Sequence, residues 1–220
     1  MKIFATSDLH GNRTIMDKLE IIAEQVDMIL ICGDITGKHE GRSFMEISKK
    51  QREDEIYLCE VLRKCNATSY FILGNDDWID IVHDRFYMDE YIAAYGIPFV
   101  PFEWVPITPF NTNREANENK LRYELSWIGH DNACIVVAHT PPYGVCDQVE
   151  FGRHVGSKSA RTWIEQVQPR FWLCGHIHEA FGANNIDNTI VLNCACDHKT
   201  NELRGWLIDT DTNAYAQVIL

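Results

Sequence analysis

A chain of 220 residues is long enough for one well-buried α/β domain and short for two, and 45% hydrophobic with 24% charged residues describes a folded, soluble protein. A net charge of −12 argues against a general affinity for duplex nucleic acid, which rests on Lys and Arg neutralising phosphates. No stretch approaches the roughly 20 apolar residues of a membrane span and no basic-then-apolar leader opens the chain, so a cytoplasmic location with reduced thiols is expected.

In chain order, apolar runs predict strands over residues 2–6, 27–32, 69–73, 134–138 and 171–174. Helices are predicted over 14–25, 50–64 and 157–167. The first places Ile15, Leu19, Ile22 and Val26 at helical spacing, and the third opens on Ser157 and closes before Pro169. This alternation marks βαβ units. Residues 36–48 read as a flexible excursion and the polar stretch 111–120 as an exposed loop. Strands at 189–193, 204–209 and 215–220, with a turn at Asp211-Thr212-Asn213, make the end of the chain β-rich. With no repeat or linker, one domain over residues 1–220 is expected.

Each of the first five strands ends in residues able to bind a metal: Asp8 and His10, Asp34, Asn75 with Asp76 and Asp77, His139, and His176 with His178. Residues two apart in extended chain face one side, which would pair Asp8 with His10 and His176 with His178. In open α/β sheets ligands gather outside the carboxyl ends of the strands, so these ends can share a pocket. Gly33, Gly74 and Gly175 directly precede ligand positions and permit tight turns or close approach. Imidazole suits zinc, iron and nickel, carboxylate and amide oxygen suit manganese and magnesium, and a shared carboxylate can bridge two ions. Asp34 is the natural bridge. Any one of these residues alone is ordinary; the ordered set is not.

The set Asp8-x-His10, Gly33-Asp34, Gly74-Asn75-x-Asp77, His139 and Gly175-His176-x-His178 resembles the calcineurin-like metallophosphoesterase family. The later segments, His139-Thr140-Pro141-Pro142-Tyr143-Gly144 and Gly175-His176-Ile177-His178-Glu179, are similar to the branch of small phosphoesterases that includes the metallophosphoesterase-domain-containing proteins. The resemblance implies two mixed β-sheets packed as a sandwich and flanked by helices. It implies that Asp8, His10, Asp34 and His178 hold one divalent ion, and Asp34, Asn75, His139 and His176 a second. The ions would be Mn, Fe, Zn or Ni, with Mn the expected one in vitro. A hydroxide bridging them would hydrolyse a phosphomonoester or phosphodiester of a small phosphorylated compound or nucleotide. Asp34, Asn75, Asp76 and His139 are the candidate catalytic residues. Asp76 stands where the family commonly has His, so good leaving groups such as aryl esters should be preferred. No membrane partner is expected, and an oligomer is left open. A non-catalytic scaffold of the same fold is the rival reading, and filled ligand positions count against it. A nuclease subunit is disfavoured by the acidic balance.

Other residues draw blander readings. Cys194 and Cys196 form a lone C-x-C and read as structural thiols. His39, His83, His130 and His198 lack context and read as surface or structural groups. His154, with Arg153, stands before a helix and reads mainly as part of its capping loop. Asn12 and Arg13 are candidate substrate contacts, and Trp78 leads from the site into the loop that follows.

Overall fold

Strands β1 (Lys2–Thr6) and β2 (Met28–Cys32) are buried along their whole length except Lys2, as happens when both faces of a parallel sheet are covered. In the computed structural model, which describes residues 1–41, 43–81 and 84–220, they run parallel to each other and to β3 (Thr68–Ile72). Two antiparallel strands, β12 (Arg204–Asp209) and β13 (Ala214–Ile219), complete this sheet in the order β13-β12-β1-β2-β3. The second sheet runs β10 (Gly182–Ile186), β11 (Thr189–Asn193), β9 (Phe171–Cys174), β8 (Ile135–Ala138), β5 (Ile97–Phe102) and β4 (Ile92–Ala94), antiparallel only at its two edges. A short parallel pair, β6 (Val105–Pro106) and β7 (Glu115–Ala116), stands apart.

The period-two alternation of each strand divides the apolar residues into layers. Ile3, Ala5, Met28 and Leu30 meet Phe99, Ile135, Val137 and Leu173 in a core between the two sheets. On the far side of the first sheet, Phe4, Ile29, Ile31 and Phe71 pack under α1 (Arg13–Asp17), α2 (Leu19–Ala23) and α3 (Phe44–Lys64). On the far side of the second, Val136, Ala138 and Trp172 pack under α4 (Glu118–Ser126) and α5 (Lys158–Val167). The result is the helix-flanked sandwich of two mixed sheets that the resemblance implies. No helix among the described residues is long and apolar enough to cross a membrane.

Several local expectations are corrected. The helix expected over 14–25 is two short ones, because the chain tightens at Lys18, whose N–H bonds Ile15 O at 3.2 Å while its ammonium is held by the carbonyls of Asn201 and Leu220. The excursion expected over 36–48 ends inside α3, which starts at Phe44 and not at 50. Ser43 caps it by accepting from the Glu46 N–H at 3.3 Å, and Ser43-x-x-Glu46 is the capping signal that marks this start. The stretch 111–120 is not a free loop: it contains β7 and the Asn117 cap of α4. Strand β5 is absent from the expected elements because Pro98 and Pro101 argue against a strand.

Candidate metal centre

The chain leaves the carboxyl ends of β1, β2 and β9 through residues in left-handed conformation, Asp8 (φ 61°), His10 (φ 46°), Asp34 (φ 51°) and His176 (φ 67°). This corrects the extended-chain pairing expected for Asp8 with His10 and for His176 with His178. Left-handed non-glycine residues cost on the order of 1–3 kcal/mol each and persist only where the surroundings over-determine them. For the first three a backbone ladder does so, with Asp8, His10 and Gly11 donating to the carbonyls of Gly33, Asp34 and Ile35 at 2.9–3.0 Å, and His176 is held through its own N–H on the Asp8 carboxylate. The glycines serve close approach. A Cβ on Gly175 would lie 2.0 Å from Ser7 Oγ and 2.2 Å from Asp8 Oδ2, and Gly33, at φ +95°, would put one 2.6 Å from His139 Nδ1.

Asp8 is wholly buried and accepts the His176 N–H, with His178 Nε2 at 3.1 Å from its Oδ1. His10 Nε2 lies 3.2 Å from His178 Nε2, so two imidazole nitrogens and a carboxylate oxygen converge on one point. Burial disfavours charge on Asp8, but His178 and His139 outweigh it and hold the carboxyl below the usual carboxylate range. Burial also keeps His10 neutral, pushing it down to about 4 against the pull of Asp34 and Asp8.

The other half is built around His139. Its Nδ1 lies 2.7 Å from the carbonyl of Cys32, which can only accept, so Nδ1 carries the proton and Nε2 faces the site. Nε2 meets Asn75 Oδ1 at 3.0 Å and Asp34 Oδ2 at 3.3 Å. The Asn75 amide nitrogen donates to Thr112 Oγ1 at 2.8 Å, which turns Oδ1 inward. A ring nitrogen and two oxygens thus face one another, a donor set that a cation satisfies and that otherwise requires a proton. Without a cation, Asp34 and Asp8 overcome the burial that opposes charge on His139 and push it up to about 10. The His176 ring packs edge-on to His139 at 5.1 Å, and burial with that neighbour's charge pushes His176 down to about 4.

Asp34 joins the halves. Its Oδ2 lies 3.3 Å from His139 Nε2 and 3.8 Å from His10 Nε2, while Oδ1 accepts the Asp76 N–H at 2.8 Å. Among the described residues, ligand atoms of Asp8, Asp34 and His139 lie within 4.8 Å of one another, as do those of His10, Asp34 and Asp76. All the residues expected at the centre are therefore brought together. Asp76 is buried and paired through Oδ2 with Lys38 Nζ at 2.8 Å. Burial and the Asp34 charge raise its carboxyl above the usual range against that ammonium. Asp77 faces away from the site and accepts from Ile35 N, Thr36 N, Thr36 Oγ1 and Gly74 N at 2.7–3.2 Å.

The centre opens into a cleft of about 1140 Å³ lined also by Lys38, Phe110, His198 and Lys199. Lys38, Thr112 and His198 are the residues that sequence reasoning missed. Lys38 and Thr112 carry no motif. His198 has the sequence context of a surface or structural group, whereas its ring stands 4.6 Å from that of His10. His39 Nε2 lies 2.6 Å from Asp54 Oδ2 and His130 is exposed, while His83 lies outside the described residues. Asn12 caps α1 and Arg13 lies over the Tyr57 ring at 4.5 Å, so neither lines the cleft as expected. His154 is held by Asp147 ahead of the Ser157 cap, Trp78 packs on Phe44, and all eight cysteines are free.

The family model described as calcineurin-like phosphoesterase matches residues 1–180. The chain belongs to the calcineurin-like phosphoesterase family. This is a family of phosphoric ester hydrolases, and the chain has its mixed α/β fold together with candidate metal-ligand groups. An uncharacterised protein of Methanocaldococcus jannaschii is 33% identical over 204 residues, covering 88% of this chain and 87% of its own. A Caenorhabditis elegans UPF0046 protein is 28% identical over 60% of this chain, and the matched part spans 45% of that relative. Among solved structures, a Thermus thermophilus protein superposes with a TM-score of 0.68 at 16% identity, covering 99% of this chain and 97% of that one. A structure described as a novel archaeal phosphodiesterase gives 0.51 at 15% identity, with both chains fully covered. At these identities the two structures speak for the fold alone.

Proposed function

We propose that this chain, as one domain over residues 1–220, is a cytoplasmic binuclear metallophosphoesterase acting on a small phosphorylated compound or nucleotide. Asp8, His10, Asp34 and His178 would hold one divalent ion and Asp34, Asn75, His139 and His176 the other. The observation that carries this reading is the position of Asp34 Oδ2 between His10 Nε2 and His139 Nε2. Mixed nitrogen and oxygen donors suit Mn, Fe, Zn or Ni.

Bound there, such ions supply charge neutralisation for the attacked phosphate and acidify water to a nucleophile at neutral pH. The chain's own groups prepare the site for this. Cys32 O keeps the Nδ1 proton of His139 out of the site, Thr112 turns Asn75 Oδ1 inward, and the left-handed turns aim Asp8, His10, Asp34 and His176 at it. Lys38 and Lys199 line the cleft and place ammonium groups where a phosphate would enter. With divalent ions bound beside it and Lys38 at 2.8 Å, Asp76 would stay ionised and be a poor proton donor for a departing alkoxide, which favours leaving groups that need no proton.

Metal analysis of the purified protein, paired with Mn²⁺-stimulated hydrolysis of a bis-aryl and a mono-aryl phosphate, tests the proposal. Two ions per chain and hydrolysis of either ester are expected. Two bound ions with no turnover of either would leave a scaffold of the same fold.

A further inference from the structure

His198 stands in the turn between β11 and β12, outside every motif that brings the chain into its family. That turn is tied to the one carrying Asp8 and His10. Cys196 N–H donates to Ser7 O at 2.9 Å, and the Asn12 amide donates to His198 O at 3.0 Å and to Asn201 Oδ1 at 2.7 Å. Lys18 Nζ donates to Asn201 O at 2.7 Å. Within the turn, Asp197 accepts from the Lys199 N–H at 3.1 Å and pairs with Arg204 at 3.3 Å.

So anchored, the His198 ring faces the two histidines of one half of the centre, with centroids 4.6 Å from His10 and 5.1 Å from His178. One nitrogen of each of these three rings lies within 4.8 Å of the others. The Nδ1 of His198 is buried and, among the described residues, has no hydrogen-bond partner. A buried polar nitrogen left unpaired costs about 1–3 kcal/mol, and a bound cation removes that cost. No hydrogen bond among the described residues accounts for this nitrogen; a third imidazole donor for the same ion would.

We propose that His198 is a further protein ligand of the ion assigned to Asp8, His10, Asp34 and His178, an inference that rests on the binuclear reading above. The addition makes this half the more nitrogen-rich of the two, with three imidazoles against the two of His139 and His176. It biases the site toward borderline ions such as zinc, cobalt, nickel and iron over magnesium.

The full chain, stripped with chelator and reloaded with Co²⁺, is compared with His198→Ala and with His198→Asn, which keeps a polar group in the turn. The readouts are stoichiometry, the two dissociation constants by competition with a chromophoric chelator, and the visible Co²⁺ absorption. Thermal unfolding of each metal-free variant reports whether it folds. The expected result is a dissociation constant weakened about ten- to hundredfold at one site only, together with an altered visible band. Unchanged affinity and absorption in a folded variant overturn the proposal, including when KM for an aryl phosphate rises, since His198 would then contact substrate and not metal. A wild-type protein that binds fewer than two ions overturns the binuclear reading itself, so the two failures are distinguishable.

Discussion

The side-chain amide of Asn75 donates to Thr112 Oγ1, and the same hydroxyl donates to Glu115 Oε1. This relay orients a carbonyl oxygen toward His139 from a segment with no metal-binding residue type in the pattern of the centre. Thr112→Val, which keeps the shape and removes the hydroxyl, is expected to weaken binding of the ion on the Asn75 side by about 10- to 100-fold. Chelator competition measures this, and an unchanged dissociation constant would show the relay to be incidental.

Asp77 is expected to matter for stability and not for metal. It is fully buried and receives three backbone N–H groups and one hydroxyl from Ile35, Thr36 and Gly74. Asp77→Ala strips these donors of their acceptor at once and is predicted to cost about 3 kcal/mol or more. Urea denaturation of the metal-free protein checks it, with a midpoint matching wild type as the contrary result.

The pH dependence of the metal-free protein follows from its histidines. His139 is held up to about 10, so its contribution is complete below its unfolded value of 6.5 and is lost as pH rises toward 10. His10 and His176 are held down to about 4, so theirs is complete above 6.5 and is lost as pH falls toward 4. Asp8 and Asp34, held below the usual carboxylate range, add a further loss at still lower pH. Asp77, which burial and the Asp34 charge raise to about 7, loses its contribution as pH rises and opposes the two depressed histidines, which outweigh it, so the melting temperature of the chelated protein should peak near pH 6.5. Reloading with Mn²⁺ should raise it throughout and flatten the alkaline side, because the cation replaces the proton on Nε2. A chelated protein that grows steadily more stable from pH 6.5 to 9 would contradict this.

Leaving-group preference tests the Asp76–Lys38 pair, joined at 2.8 Å. The wild type should turn over aryl phosphoesters well and alkyl ones poorly. Asp76→His should narrow the gap by raising the alkyl rate, about tenfold or more if general acid catalysis is restored. Equal turnover of both ester types by the wild type counts against the prediction.

Gly175→Ala forces a Cβ against Ser7 Oγ and Asp8 Oδ2, both fully buried just beyond β1. It is predicted to destabilise the protein by about 1–3 kcal/mol and to abolish binding at the Asp8 half. Metal stoichiometry and a denaturation curve read the two effects separately. Two ions bound at wild-type affinity would refute it.

The identities and order of the candidate ligands were legible in the sequence because each stands at the end of an apolar run, and such runs are local patterns. The central strands were legible for the same reason, since burial on both faces leaves continuous Ile, Val and Leu. What the tertiary structure alone decided depends on groups far apart in the chain. The left-handed turns at Asp8, His10 and Asp34 are held by a backbone ladder between two strand ends and that at His176 by the Asp8 carboxylate, which no local spacing reveals. The inward turn of Asn75 depends on Thr112, the partner of Asp76 is Lys38, and His198 reaches His10 through a turn fastened by Asn12 and Lys18. Composition and periodicity record which side chains are apolar, whereas the partner of a polar side chain is set by which chain ends the two sheets bring together.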